Sequence, residues 1–418
     1  MIVKEVLDNG LTLITEEMPS VRSVAVGVWV KRGSRHERPE VSGVSHFIEH
    51  MVFKGTKTRS AERIAAEVDS IGGFMDAFTA KEYASFHLKV LDQHLPLAVE
   101  ILGDIVMNPA FDRAEMAKEK KVIFEEINMV EDTPDDLVME LLTEAFWPDH
   151  PLGRPILGTK KTVGGFRREH LASYFARVYH PANLVIAAAG HVRHEDVSAL
   201  VARHFGGLRP VPAKTNGRAP APAVAVVTRS KRELEQVHLC LATPAPHQTH
   251  EDRYASYVLN TVLGGSMSSR LFQHVREQRG LVYSISSGIA AYSDAGLLSI
   301  YAGTSLDAAP EVVRLALDEL RLLRDEPIPE DELRRAKDHM KGGLVLSLEG
   351  TTARMSHAAR QEIHFGRQVP LDEILDGIEA VTADDAQALA ARMFDRPVAA
   401  SVLGNLRGWR PRPRELAV

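Results

Sequence analysis

The chain has 418 residues, 44% of them hydrophobic, with 50 Lys and Arg against 56 Asp and Glu and a formal net charge of −6. That is ample for a large core and implies more than one domain; the mildly acidic, unpatterned charge carries no basic run that would suit nucleic acid or an anionic membrane. A single cysteine, Cys240, excludes an internal disulfide framework and a thiolate-rich zinc site, and its setting in VHLCLATPA makes it a buried core thiol.

The opening MIVKEVLDNGLTLITEE reads as a strand, an Asn-Gly turn and a second strand, not as a secretory signal. No apolar run approaches the roughly 20 residues that span a bilayer, so the expected setting is soluble, reducing and cytoplasmic. SVAVGVWV is a further strand. His46-Phe47-Ile48-Glu49-His50 follows on a predicted helix, and then SAERIAAEVDSIGG, a helix closed at Gly72-Gly73. FMDAFTAKEYASFHLKVL alternates as a β-ribbon, in which His87 is structural. LPLAVEILGDIVMNP is an apolar helix stopped at Asn108-Pro109, and KEKKVIFEEINMVE continues as a helix. Residues 208–222, LRPVPAKTNGRAPAP, carry the one strong linker signal.

The two sides of this linker resemble each other. FRREHLASYFARVYHPANLVIAAAGHV runs from helix to apolar strand to Gly190, and ADDAQALAARMFDRPVAASVLGN does the same up to Gly404. FDRAEMAKEKKVIFEEI has its counterpart in PEDELRRAKDHMKGGLVLSLEG. The ribbon and helix of residues 74–108 are echoed from LVYSISSGIAAYSDAG onward, and an offset of roughly 215 residues relates all three pairs. The second half lacks the H-x-x-E-H run, so a duplicated pair would hold one metal site.

On a helix, residues four apart share a face, so His46 and His50 can offer two imidazoles to one metal ion. Glu49 can reach a water at the same ion. This order is the inverse of H-E-x-x-H and is the inverzincin signature. A third ligand is required, another His or a carboxylate. Glu119 and Glu126 lie seven residues apart, two turns along one helix face, so that one could ligate while the other orients. Spacing alone does not choose between them and a plain solvated surface.

HFIEH, KEKKVIFEEI and HPLGRPILG together resemble the pitrilysin/insulinase family of inverted zinc metallopeptidases, in its branch of mitochondrial-processing-peptidase β-subunits and bacterial relatives. The resemblance spans nearly the whole chain. It implies one Zn2+ per chain on His46, His50 and Glu126, with Glu49 as general base and Glu119 supporting the site. It also implies that Arg276 and Tyr283, in GGSMSSRLFQHVREQRGLVYSISS, contact substrate near the scissile carbonyl. Without it, Arg276 reads as a solvated helix residue and Tyr283 as a strand or core residue. The strand MDAFTAKEY, with Ala77, Phe78 and Thr79 central, would bind peptide by β-addition. Asp76 stands where many relatives have Asn, which bears on substrate charge preference. HPLGRPILG is expected to position the helix that carries Glu126.

The expected fold is α+β: two homologous α/β-sandwich-like domains, each an antiparallel sheet with helices mainly on one side, facing a central cavity. The domains would be residues 1–207, with the metal, and 223–418, without it, joined by the 208–222 linker. The expected function is zinc-dependent endoproteolysis of oligopeptides or unfolded and leader segments. The chain would act as a homodimer or as a heterodimer with an inactive sister subunit, with no nucleic-acid or membrane partner. The competing reading is a non-catalytic scaffold or a peptide-binding protein of the same fold.

Overall fold

The computed structural model describes residues 1–209 and 219–418; of the linker, residues 210–218 lie outside the described residues. The first half of the chain runs β1 (Ile2–Val6), β2 (Thr12–Glu17), β3 (Ser23–Val30), α1 (Val44–Val52), α2 (Ala61–Ser70), β4 (Phe74–Thr79), β5 (Ala84–Leu91), α3 (Leu95–Met107), α4 (Arg113–Asp132), α5 (Pro134–Phe146), α6 (Lys160–Gly164), α7 (Arg168–Val178), β6 (Leu184–Gly190) and α8 (His194–Phe205). The second runs β7 (Val226–Ser230), β8 (Val237–Pro244), α9 (Arg253–Leu263), β9 (Val282–Ala291), β10 (Gly296–Thr304), α10 (Ala309–Asp325), α11 (Glu330–Ser347), α12 (Thr351–Phe365), α13 (Leu371–Glu379), α14 (Ala383–Met393) and β11 (Ala399–Gly404). No helix among the described residues is long and apolar enough to cross a membrane.

The chain is mixed α/β with two sheets, ordered β1-β2-β6-β3-β5-β4 and β7-β11-β8-β10-β9. The two orders match strand for strand once β1 is set aside. Pairing is antiparallel except for β2 with β6 and β7 with β11, one parallel pair in each sheet. Gly190 and Gly404 end equivalent strands with φ of +137° and +149°. A Cβ at Gly190 would lie 2.2 Å from Ser23 O, and one at Gly404 would lie 2.7 Å from Gln236 O. Both strands therefore end where only glycine lets the chain pass the start of a neighbour, a shared peculiarity that supports the duplication.

Contacts divide the chain into two compact units that are not its contiguous halves. The first comprises Met1–Asn128, Arg154–Gly217 and Leu346–Gln368; the second comprises Met129–Gly153, Arg218–Val345 and Val369–Val418. This differs from a division into 1–207 and 223–418, and the cause lies in the sheets. Central strands such as SVAVGVWV are apolar on both faces, so each face needs cover. In the first unit, Val24, Val26, Val28 and Val30 enter the core beneath α1 and α3, while Ala25 and Trp29 meet Met355, Ala358 and Ala359 of α12. In the second, β11 turns Ala400 and Val402 to one core and Ala399 and Leu403 to α5, where Leu137, Val138 and Leu142 pack. Ser401 Oγ donates to Val138 O at 2.7 Å and seals that contact. Cys240 is fully buried in the same cluster, as expected.

Met355 is fully buried, and a Cβ on Gly27 would come within 2.9 Å of its sulfur. Met355→Ala should therefore cost about 2–5 kcal/mol. The measurement is the first transition in urea unfolding, because a chain of two units need not unfold in one step. An unshifted midpoint would show that α12 contributes little to the first unit.

Candidate metal centre

Helix α1 has an apolar majority that is fully buried: Val44, Phe47, Ile48, Met51 and Val52 sit in the first unit's core. Burying that side leaves His46, Glu49 and His50 along the remaining edge. The start of the helix is built with equal care. Gly43 takes φ +93° at the N-cap, and a Cβ there would lie 2.6 Å from Leu157 O. Gly158, with φ +73°, packs back against Ser42. A glycine cannot cap with its side chain, so Glu37 does so from outside the helix. Its Oε2 accepts from Gly43 N and its Oε1 from Ser45 N, each at 2.7 Å. Glu37 is 4% exposed, and burial pushes its carboxyl up to about 7 against the pull of those donors. Ser45 Oγ also meets Tyr174 OH at 2.8 Å. The segment after HPLG thus braces the helix that carries His46. It was expected to brace the helix of Glu126, but close Gly–Gly contact needs a partner without a Cβ, and Gly43 supplies it.

Helix α4 brings its carboxylates to this edge. His46 Nε2 lies 3.6 Å from Glu126 Oε2, and His50 Nε2 lies 3.5 Å from Glu126 Oε1. One ligand atom from each of the three residues falls within a 4.8 Å span. Tetrahedral zinc, with bonds of about 2.0–2.1 Å, sets neighbouring ligand atoms about 3.3 Å apart, so the cluster has the right size. Its donor set suits zinc, and Glu126 Oε2 is buried without a hydrogen-bond partner. An unpartnered carboxylate oxygen is costly to bury, and a cation between the three groups would remove that cost. Burial and the neighbouring His50 lower the His46 pKa to about 3, so this imidazole is neutral with a lone pair to offer.

Glu119 is 4% exposed and does not face the cluster's centre. Its Oε2 accepts from His50 Nδ1 at 3.0 Å, which fixes the tautomer that leaves Nε2 free. Its Oε1 is held by Lys54 Nζ at 2.8 Å. Sequence reasoning missed Lys54, although it stands four residues beyond His50. It missed Glu37 as well, which no spacing rule ties to α1.

Glu49 points to a strand instead of a helix. Thr79 Oγ1 donates to Glu49 Oε2 at 2.6 Å. Burial raises the Glu49 pKa, and the Thr79 bond and His50 oppose the rise. Thr79 ends β4, the edge strand beside β5. Ala77 packs against the main core, whereas Phe78 projects from the other face onto Trp29, with ring centroids 5.6 Å apart. Asp76 also lies on that other face, opposite His87 in register, and its Oδ1 accepts from Ala77 N at 2.9 Å. Its charge still reaches Glu49, adding to the rise that burial causes there. His87 is buried, and that burial lowers its pKa, consistent with the structural role expected of it.

Arg276 and Tyr283 belong to the second unit. Arg276 lies in the π-helical stretch Phe272–Glu277, its guanidinium 5.7 Å from the Tyr283 ring and 4.6 Å from the Phe272 ring. Tyr283 is 79% exposed on the edge strand β9, so it is not a core residue.

Residues 12–160 match the family model described as Insulinase (Peptidase family M16), and residues 165–340 match the one described as Peptidase M16 inactive domain. A Bacillus subtilis protein named as an uncharacterized zinc protease is 42% identical over 409 residues, which cover 97% of this chain and 100% of the relative. One of the same description from Mycobacterium tuberculosis is 41% identical over 98% of this chain and 94% of its own length. In fold, the chain is similar to a protease from Helicobacter pylori, with TM-score 0.89 at 20% identity over 96% of this chain and 99% of that one. It is equally similar to a peptidase M16 inactive domain from Pseudomonas fluorescens, with TM-score 0.90 at 20% identity over 96% and 98%. The chain belongs to the insulinase, or M16, peptidase family. It is a metalloprotease.

Because Glu119 holds the His50 ring, Glu119→Gln should weaken zinc affinity about 10–100-fold. Lys54→Met should weaken it in the same direction by letting Glu119 swing. Competition with a chromophoric chelator measures both, and undiminished affinity in Glu119→Gln would remove its supporting role.

Proposed function

We propose that the chain is a zinc-dependent endopeptidase that hydrolyses oligopeptides or unfolded and leader segments, with Glu49 as its general base. One observation carries this reading: His46, His50 and Glu126 converge within 4.8 Å beside Glu49, on one edge of α1. When bound there, zinc supplies Lewis acidity that acidifies water and polarises a carbonyl. The chain's own residues do the rest. His46 and His50 present Nε2, and Glu119 keeps the His50 proton on Nδ1. Glu49 takes a proton from the attacking water and delivers it to the leaving amine. The β4 edge offers backbone groups to an extended peptide.

Arg276 and Tyr283 enter through the family resemblance, as donors to the oxyanion. Their pairing supports that role, because the guanidinium and the phenol restrict each other's freedom. A scaffold without activity is the weaker reading: it would leave an unpartnered carboxylate oxygen of Glu126 and a supported histidine without purpose.

Cleavage of a quenched-fluorescent peptide library by the purified chain, beside Glu49→Gln, tests the proposal. Loss of the base should lower turnover by about 10²–10⁴-fold or more with zinc retained. Equal cleavage by both would refute the assignment, and no cleavage by either would favour a missing sister subunit or the scaffold. Arg276→Ala should lower kcat/KM by roughly 10²-fold without changing zinc affinity; unaltered kinetics would strip Arg276 of its role.

A further inference from the structure

We propose that Thr79 is a positioning residue for the general base: its hydroxyl holds the Glu49 carboxylate and so decides which oxygen of Glu49 carries the proton. The inference rests on the reading of Glu49 as base. Thr79 Oγ1 donates to Glu49 Oε2 at 2.6 Å, the length of a charge-assisted O–H···O⁻ bond. With Oε2 engaged, Oε1 is the oxygen left to accept a proton from water and to return it to the amine.

The donor is itself fixed. Thr79 is β-branched, which stiffens its χ1, and it pairs with Ala84 across the ribbon. Just beyond it, Ala80 N donates to Tyr83 O at 2.8 Å, and Ser34 N donates to Ala80 O at 3.2 Å. Arg35 N donates to Lys81 O at 2.8 Å, and the Arg35 guanidinium meets Glu82 at 2.7 Å in a buried ion pair. The same lead-in segment supplies Glu37, the cap of α1. The base and the residue that holds it are thus tied to one short stretch of chain, residues 33–37. A glutamate left alone would lose side-chain entropy on being fixed; here that ordering precedes substrate.

The strand that Thr79 ends is also the edge proposed to take the peptide. A residue that merely lined a subsite would act on KM, whereas one that aims the base acts on kcat.

The experiment compares wild type, Thr79→Val, Thr79→Ser and Glu49→Gln, each zinc-loaded, on one peptide. Thr79→Val keeps the shape and loses the hydroxyl. Its kcat should fall about 10–100-fold, with KM and zinc affinity close to wild type. Thr79→Ser should restore most of kcat. A wild-type kcat in Thr79→Val, or a change confined to KM, overturns the proposal. Crystal structures of wild type and Thr79→Val give a second readout independent of turnover: Glu49 should leave its wild-type rotamer in the variant, and an unmoved Glu49 overturns the proposal as well. Glu49→Gln as active as wild type would instead sink the reading of Glu49 as base.

Discussion

The centre depends on how α1 is buried. A nine-residue helix that commits five side chains to the core has one edge left, and that edge holds both imidazoles and the carboxylate. Nothing about His46 or His50 alone would keep their rings together. The buried face does so, because any rotation of the helix would bring Phe47 or Ile48 into water at a cost of about 1.5–3 kcal/mol each. Tyr174, Glu37 and the Gly43–Gly158 contact then stop the helix from sliding along its axis. His46 and His50 take their placement from apolar packing and a cap, not from each other.

Around this helix the polar groups form two short chains that leave in different directions. One runs from His50 through Glu119 to Lys54 and stays between α1 and α4. The other runs from Glu49 to Thr79 and ends on the sheet edge. On the proposed mechanism the first would set where a metal sits and the second where a proton goes. They share no hydrogen bond, yet His50 and Glu126 both act on the charge of Glu49.

Much of this was legible in the sequence. The H-x-x-E-H spacing predicts a shared helix face, and α1 provides it. The breaks at Gly72-Gly73 and Asn108-Pro109 end α2 and α3 where expected, and the matched halves appear as matched sheets. Period and punctuation are local properties, and a helix or strand expresses them locally. Glu119 and Glu126 were harder, because a solvated face and a ligand pair leave the same seven-residue mark; family resemblance chose between them. Glu37, Lys54 and the hydroxyl of Thr79 left no mark at all, since each acts through space on a residue from another element. Crossed membership was equally hidden. The apolar residues of α5 and α12 show that each helix buries a face but not which sheet receives it.

That crossed membership governs when the protein can exist. The outer face of the first unit's sheet is covered by α12, whose residues are made well after the rest of that unit. At roughly 5–20 residues per second, the stretch between α8 and α12 takes on the order of ten seconds to make. Through that interval Trp29 has Phe78 and Tyr83 beside it but lacks Met355, Ala358 and Ala359, and the first unit stays unfinished. The edge of α1 that gathers His46, Glu49 and His50 therefore belongs to a unit that can be completed only once residues 351–365, some 300 positions further along, have been made.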